Sequence, residues 1–283
     1  MSKRNRRNQK PVYFPQPKVD NTILDIVIPV YNRFDLLEKC LDCIPKSANS
    51  VTYHIICVDN GSVIMDADEF YASRKDIIVI RNQSNLGFPM ACNIGVNKKR
   101  APLIFLLNSD VLLEPNSIEL LVKEMDNPTT GVAGMLLVFP EFADDLNPSV
   151  RPANKVQHIG LETNIHGKWV HQFIGWSEDN PRVQKQRDVY AVTGAALMTR
   201  RTIWNKVGGL YEGYGLGTYE DADYCLSVRD LGYNIVVVPK AKGIHYTGAT
   251  AEKYNLAYPM DKNRMIFMQR WQDKLAWTDG LKY

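Results

Sequence analysis

LDIVIPV, Leu24 to Val30, is a short, almost wholly apolar run that stops at Tyr31-Asn32-Arg33. A run of that length, closed by turn-forming residues, reads as a strand buried on both faces. Leu36, Leu37, Cys40, Leu41 and Ile44 then recur at helical spacing. The pair predicts a strand followed by a helix that packs back on it. Tyr53 to Val58 is a second β-rich run, closed by Asp59-Asn60-Gly61-Ser62. Ile77 to Ile80 is a third and Leu103 to Leu107 a fourth, with helical patterns over Phe88 to Lys98 and Ser117 to Met125. Strands alternating with helices imply βαβ units and a parallel sheet with right-handed crossovers.

Ligands of such sheets bind in the crevice at the carboxyl ends of the strands. Polar clusters fall at those ends here: Asn32 after the first strand, Asp59 after the second, Asn108 to Asp110 after the fourth. Asn, Asp, Gly and Ser are also ordinary turn residues, so one cluster alone means little. Three at one sheet edge predict a site.

The rhythm breaks after residue 140. Residues 141 to 189 are rich in Pro, Asn, His and Trp and read as an irregular excursion with a few short strands. Tyr190 to Thr199 is expected as one strand with small residues at its centre, Tyr219 to Leu231 as a helix, Ile235 to Val238 as a strand, and 261 to 277 as a final helical pattern. The expected organisation is a basic, disordered tail over 1–20, a first half over 21–140, a second half of the same domain over 141–260, and a C-terminal helix over 261–283.

The 283 residues suffice for a large core, and 45% hydrophobic with 23% charged residues is ordinary for a globular protein. A net charge of +3 excludes a generic polyanion binder. The charge is unevenly placed: Lys3, Arg4, Arg6, Arg7 and Lys10 precede Pro11, Pro15 and Pro17 with no acid among the first ten residues. That segment reads as a solvated tail, or as a tether for nucleic acid or a membrane surface. Five cysteines (Cys40, Cys43, Cys57, Cys92, Cys225) sit in apolar segments. Cys40 and Cys43 form a C-x-x-C, but no second pair completes a zinc site, and buried reduced thiols in a cytoplasmic protein are expected. No apolar run reaches the roughly 18 residues of a bilayer span.

Two features suggest metal-assisted chemistry. Asp110, at a strand end in an apolar sheet, suits a hard cation such as Mg²⁺ or Mn²⁺. Glu220-Asp221-x-Asp223 opens a helix after a Gly-rich loop and offers carboxylates for proton abstraction. Helix capping explains one of those acids and no more.

The ordered set of motifs resembles the family 2 glycosyltransferases, inverting enzymes with the fold called GT-A, and is nearest in character to rhamnosyl- and galactofuranosyltransferase-like members. The shared segments are IVIPVYN (Ile26 to Asn32), VDNGS (Val58 to Ser62), the spaced set Asn85, Gly87, Phe88, Ala91, Asn93, Gly95, then Asn108-Ser109-Asp110, Gly194 to Arg200, Glu220 to Asp223, and His245. They cover roughly residues 23 to 270. The resemblance implies an α/β fold, a Rossmann-like mixed sheet flanked by helices with an acceptor-side half. It implies transfer of a sugar from a nucleoside-diphosphate sugar to an acceptor hydroxyl.

By the same resemblance, Pro29, Tyr31, Asn32 and Asp59 would hold the nucleobase, with Asn85 and Gly87 beside the nucleotide and Asn108 and Ser109 near the ribose. Asp110 and His245 would ligate the cation, and Asp221 would be the catalytic base, with Glu220 beside it. Asn108 departs from the family's usual acid, so it brings no charge to the metal. Lys262 and Arg264 are candidates for the diphosphate. Met265, Phe267, Met268, Trp271 and Trp277 would form an apolar face for the core, or for contact with a membrane surface. Trp169, Phe173 and Trp176 are available to stack on an acceptor. The acceptor is expected to be a glycan or lipid-linked glycan; a hydroxylated base in DNA is the alternative through the basic tail.

Two other classes fit the sequence less well. A sugar-phosphate nucleotidyltransferase would carry a Gly-rich loop with Arg and Lys after the first strand, and PVYNRFD lacks it. A sugar- or nucleic-acid-binding module without turnover would not need Asp110, Glu220, Asp221 and His245 together.

Overall fold

The computed structural model describes residues 21–63, 67–141, 152–163, 168–248, 254 and 257–274. The basic tail and Trp277 lie outside the described residues.

The first strand, β1, is Leu24–Val30, as its apolar run predicts. Asn32 and Arg33 then take φ values of 56° and 49°. Asn visits this left-handed region more readily than most residues because its short polar side chain bonds locally. Here its Oδ1 accepts from the Val63 N–H at 2.9 Å. The turn feeds α1, Phe34–Ser47, whose Leu37, Leu41 and Ile44 are buried against the sheet. Truncating Leu41 to Ala would cost about 2–5 kcal/mol, the scale for emptying a packed core site.

The chain continues through β2 (Tyr53–Asp59), α2 (Ala67–Ser73), β3 (Ile78–Arg81), α3 (Phe88–Val96), β4 (Leu103–Leu107), β5 (Val111–Leu113), α4 (Ser117–Glu124) and β6 (Thr130–Val138). After it come the short strands β7 (Val156–His158), β8 (Leu161–Thr163), β9 (Trp169–His171) and β10 (Arg187–Asp188). The last part comprises β11 (Ala196–Arg200), α5 (Arg201–Val207), a 3₁₀ turn at Glu212–Tyr214, α6 (Glu220–Asp230), β12 (Asn234–His245) and α7 (Met260–Trp271).

The main sheet runs β10-β12-β6-β11-β4-β1-β2-β3, with β5 on β12 and β7 on β6. The β4-β1-β2-β3 part is parallel. β11 enters antiparallel to both β4 and β6, and β12 lies parallel to β6. The sheet is therefore mixed, and it joins the two halves of the chain without a break. Alternate residues serve two cores. Ile26 and Ile28 belong to the core that holds α1 and α4, while Val27 belongs to the other, which holds Ala91, Cys92 and Val96 of α3 and Ile203, Tyr224 and Phe267 of the later helices.

Two expectations need correction. The strand expected over Tyr190 to Thr199 is only Ala196–Arg200, because the backbone turns at Gly194-Ala195 to bond elsewhere: the Gly194 N–H donates to Asp221 and the Ala195 carbonyl accepts from Asn108. The strand expected to end at Val238 runs on to His245, with a register shift between Val238 and Lys242 that accommodates Pro239. Free cysteines are buried or, for Cys43, half-buried, and burial pushes the Cys57 and Cys225 thiols up to about 12.

Candidate active site

Two adjoining loops carry the residues expected to hold the nucleotide. The Asp59 side chain is fully buried: its Oδ1 accepts from the Ser62 N–H at 2.8 Å and its Oδ2 lies 3.1 Å from Arg81 Nε. Ser62 Oγ in turn accepts from the Asn32 N–H at 2.8 Å, so the turns after β1 and β2 are tied together. Asn60, which the sequence reading did not single out, holds the next loop. Its Nδ2 donates to Asn85 Oδ1 and the Gly87 carbonyl, and its Oδ1 accepts from Asn82 and the Leu86 N–H. Gly87 has φ 89°, and a Cβ there would lie 1.9 Å from the Gly215 carbonyl oxygen. Only glycine permits this approach of the nucleotide loop to the loop before α6. Pro29 and Tyr31 are half-buried at the same edge, Tyr31 edge-on to Tyr254 at 6.0 Å.

The end of β4 carries the residues expected at the ribose and the cation. Asn108 donates its N–H to the Ala195 carbonyl, while Ser109 and Asp110 are buried. Asp110 and His245 meet because β5 pairs antiparallel with the end of β12, His245 opposite Val111. Asp110 Oδ1 stands 3.4 Å from His245 Nε2 and is buried without a hydrogen-bond partner among the described residues. His245 Nδ1 lies 3.2 Å from Gln157 Oε1 and 3.1 Å from Thr247 Oγ1. A proton on Nδ1, donated to the Gln157 carbonyl oxygen, leaves the Nε2 lone pair facing Asp110. In that tautomer the orphaned carboxylate oxygen and the imidazole lone pair fit a divalent cation, which both atoms can reach with bonds of about 2.1 Å. No third His, Cys, Asp or Glu joins them among the described residues.

The three acids in the first turn of α6 separate into different environments. Asp223 is clamped: Tyr214 Oη, Arg270 Nε and Trp271 Nε1 all donate to its Oδ2, at 2.7, 2.6 and 3.1 Å. It anchors α7. Glu220 is buried with Oε2 unpartnered, and burial, then the charge of Asp221, pushes its carboxyl up to about 8. Asp221 is half-buried, with Oδ2 accepting from Gly194 N–H at 3.0 Å and Oδ1 from Ala222 N–H at 2.8 Å. Burial raises its pKa, and those N–H donors pull against the rise. Asp221 lines a cavity of about 190 Å³ together with Leu161, Trp169, His171, Thr193 and Tyr219. Burial, and then the charges of Asp110 and Glu220, raises the pKa of the Tyr258 phenol.

The loop carrying these acids is under strain. Thr218 and Tyr219 adopt φ 84° and 73°, a region that β-branched and bulky residues avoid. Asn263, fully buried on α7, holds the loop by donating Nδ2 to the carbonyls of Tyr214 and Gly217 and to Thr218 Oγ1, at 2.9, 2.7 and 3.0 Å. Asn263 was not read as functional from the sequence. Its neighbour Arg264 is half-buried, with Nε 4.0 Å from Asp261, and Lys262 is exposed. Phe267 and Trp271 face the core as expected, whereas Met265 is exposed.

Residues 25–205 match the family model described as glycosyl transferase family 2. The matched region takes in the nucleotide loops and Asp110 but ends before Asp221 and His245. A Sinorhizobium fredii protein named "Uncharacterized protein y4gI" is 26% identical over 83% of this chain and 25% of its own length. The O-antigen biosynthesis protein RfbC of Myxococcus xanthus is 22% identical over 80% of this chain and 17% of its own. The chain thus spans a quarter or less of those two relatives. The N-acetylglucosaminyl-diphospho-decaprenol L-rhamnosyltransferase of Mycobacterium tuberculosis is 24% identical over 90% of this chain and 89% of its own length. Among solved structures, GalNAc-T7 with UDP, GalNAc and Mn²⁺ superposes with a TM-score of 0.69 at 16% identity, over 89% of this chain and 49% of that one. The mannosyltransferase PcManGT of Pyrobaculum calidifontis, with GDP-Man and Mn²⁺, superposes at 0.53 and 14% identity over 84% of this chain and 61% of that one. The shared architecture is the mixed α/β sheet of GT-A glycosyltransferases.

Proposed function

Because the chain belongs to glycosyl transferase family 2, we propose that it moves a sugar from a nucleoside-diphosphate sugar to an acceptor hydroxyl, with inversion at the anomeric carbon. The observation that carries the reading is the pairing of Asp110 Oδ1 with His245 Nε2 at one side of the site and the opening of Asp221 to a cavity at the other. Asp110 and His245 would hold Mn²⁺ or Mg²⁺, which when bound supplies positive charge to the departing diphosphate.

The remaining steps belong to the chain. Asn32, Asp59, Asn85 and Gly87 would seat the nucleotide, with Asn108 and Ser109 at the ribose and Arg264 toward the diphosphate. Asp221 would take the proton of the attacking hydroxyl; its elevated pKa makes it a better base than an exposed carboxylate. Glu220 lies beside Asp221, its carboxyl pushed up to about 8 by burial and then by the charge of Asp221. With Asp223 locked to Arg270 and Glu220 buried, Asp221 is the one carboxylate among the residues that line the cavity. One base and no carboxylate nucleophile suit direct displacement.

The rhamnosyltransferase relative, matched over nearly its whole length, supports a lipid-linked glycan as acceptor and a deoxyhexose among the candidate sugars. The reduced thiols favour a cytoplasmic site of action. The decisive test is Asp221→Asn. It should keep nucleotide binding and lower turnover about a hundredfold or more, the scale for losing a general base. Near-normal turnover would remove Asp221 from this role.

A further inference from the structure

The cavity beside Asp221 has a second polar wall, which the proposed chemistry does not use. His158 is buried at the end of β7 and His171 ends β9; their rings meet edge-on with Nδ1 to Nδ1 at 2.9 Å. The neighbours of His158 decide where the protons lie. Its Nε2 faces two backbone donors, Gly160 N–H and Thr193 N–H, each at 3.3 Å. A nitrogen facing two N–H groups has to accept, so the His158 proton sits on Nδ1. That proton is given to His171 Nδ1, which therefore accepts and leaves the His171 proton on Nε2. Neither ring takes a second proton readily. Burial holds His158 well below the ordinary histidine value, and burial with the nearby His245 brings His171 down to about 4.

His171 lines the cavity with Nδ1 turned back to His158. The turn at Thr193-Gly194 ties this pair to the base, since the Thr193 N–H serves His158 and the next N–H serves Asp221. Trp169, two residues before His171, supplies an aromatic ring to the same cavity. A ring face beside a fixed neutral N–H is a common way to hold a sugar: apolar C–H groups on the aromatic, an oxygen on the donor.

The geometry points to His171 as an acceptor-specificity residue, its Nε2–H donating to an acceptor oxygen next to the attacking hydroxyl, with His158 as the positioning residue that fixes its tautomer. A nitrogen that already carries its proton is no base, so this role is distinct from that of Asp221. The inference rests on the glycosyl-transfer reading, and the two fail differently.

The test uses the full chain with Mn²⁺ and a panel of UDP-, GDP- and dTDP-sugars, taking octyl glycosides as acceptors and donor hydrolysis by water as the internal reference. His171→Ala should raise the acceptor KM about tenfold, the scale of one neutral hydrogen bond to substrate. Its kcat and its donor hydrolysis should stay within about twofold. His171→Gln, which keeps an N–H donor, should recover most of the loss. Nitrogen-15 spectra of the histidines should give His171 the Nε2–H pattern and His158 the Nδ1–H pattern, and His158→Phe should blur the first. An Nδ1–H pattern at His171, or an unchanged acceptor KM in His171→Ala, overturns the inference while leaving transfer intact. If no octyl glycoside is used, the tautomer decides: Nε2–H at His171 supports the assignment and Nδ1–H overturns it. Absence of both transfer and donor hydrolysis in the wild type would instead strike the reading beneath it.

Discussion

Glu220 is the residue whose surroundings differ most from those of its neighbours. Asp221 opens to the cavity and Asp223 is spent on Tyr214, Arg270 and Trp271, but Glu220 is buried with an oxygen that meets no partner. A carboxyl held at about 8 in the fold and near 4.5 in the unfolded chain favours folding while it keeps its proton. Between those values the folded state binds the extra proton, so stability falls as pH rises from about 5 to 8 and then levels. Glu220→Gln removes that slope. Without divalent cation, thermal unfolding of the variant and the wild type should nearly coincide at pH 5. The variant should be more stable by pH 8, by on the order of a few kcal/mol. A constant difference across that range would mean that Glu220 is ionised in the fold. Such residues are half legible in sequence. Glu220-Asp221-x-Asp223 announces a site, yet nothing in the string says which acid is open, which is clamped and which is neutral. His158, Gln157 and Asn263 gave no signal at all, because their roles depend on partners 13, 88 and about 46 residues away.

At the scale of elements, the most legible strands are apolar runs that stop at turn residues; β3 is legible although only half-buried, whereas β6, buried throughout, is not. Leu24–Val30 and Leu103–Leu107 are apolar on both faces and stop at turn residues, so composition alone bounds them. β5, with three residues, and α5, which follows β11 directly, offer too little periodicity to be seen. The strand expected over Tyr190 to Thr199 is broken at Gly194, where the turn presents its N–H to Asp221. The loop before α6 follows the same pattern. Its positive φ values at Thr218 and Tyr219 persist because Asn263 on α7 bonds three of its groups. Asn263→Ala should release that strain. The expected result is a loss of about 2 kcal/mol in urea unfolding and a fall in turnover of roughly ten- to a hundredfold, with nucleotide affinity preserved. Equal losses in nucleotide affinity and turnover would show that the loop serves the donor instead.

The whole molecule divides its labour between the two edges of one sheet. The strand ends carrying Asn32, Asp59 and Asp110 make the site, and the opposite edge is locked by a buried polar network. There Asp25, at the start of β1 and fully buried, accepts from Arg201 Nη2 at 2.6 Å and from the Ala101 N–H at 3.0 Å, with His54 Nδ1 at 2.9 Å. Arg201 also donates to the carbonyls of Ala101 and Val96. Arg201→Ala would leave the Asp25 charge buried with reduced compensation and should cost about 3–5 kcal/mol in unfolding free energy, while nucleotide binding to the folded protein stays unchanged. Metal-dependent sugar transfer through Asp110 and His245 is measured most directly as release of nucleoside diphosphate from the nucleotide-sugar panel with Mn²⁺, run on wild type and Asp110→Ala together. Turnover of at least one donor by the wild type, abolished by chelator and reduced at least a hundredfold in a folded Asp110→Ala, is the predicted result; full activity in chelator, or no turnover of any donor, would contradict it.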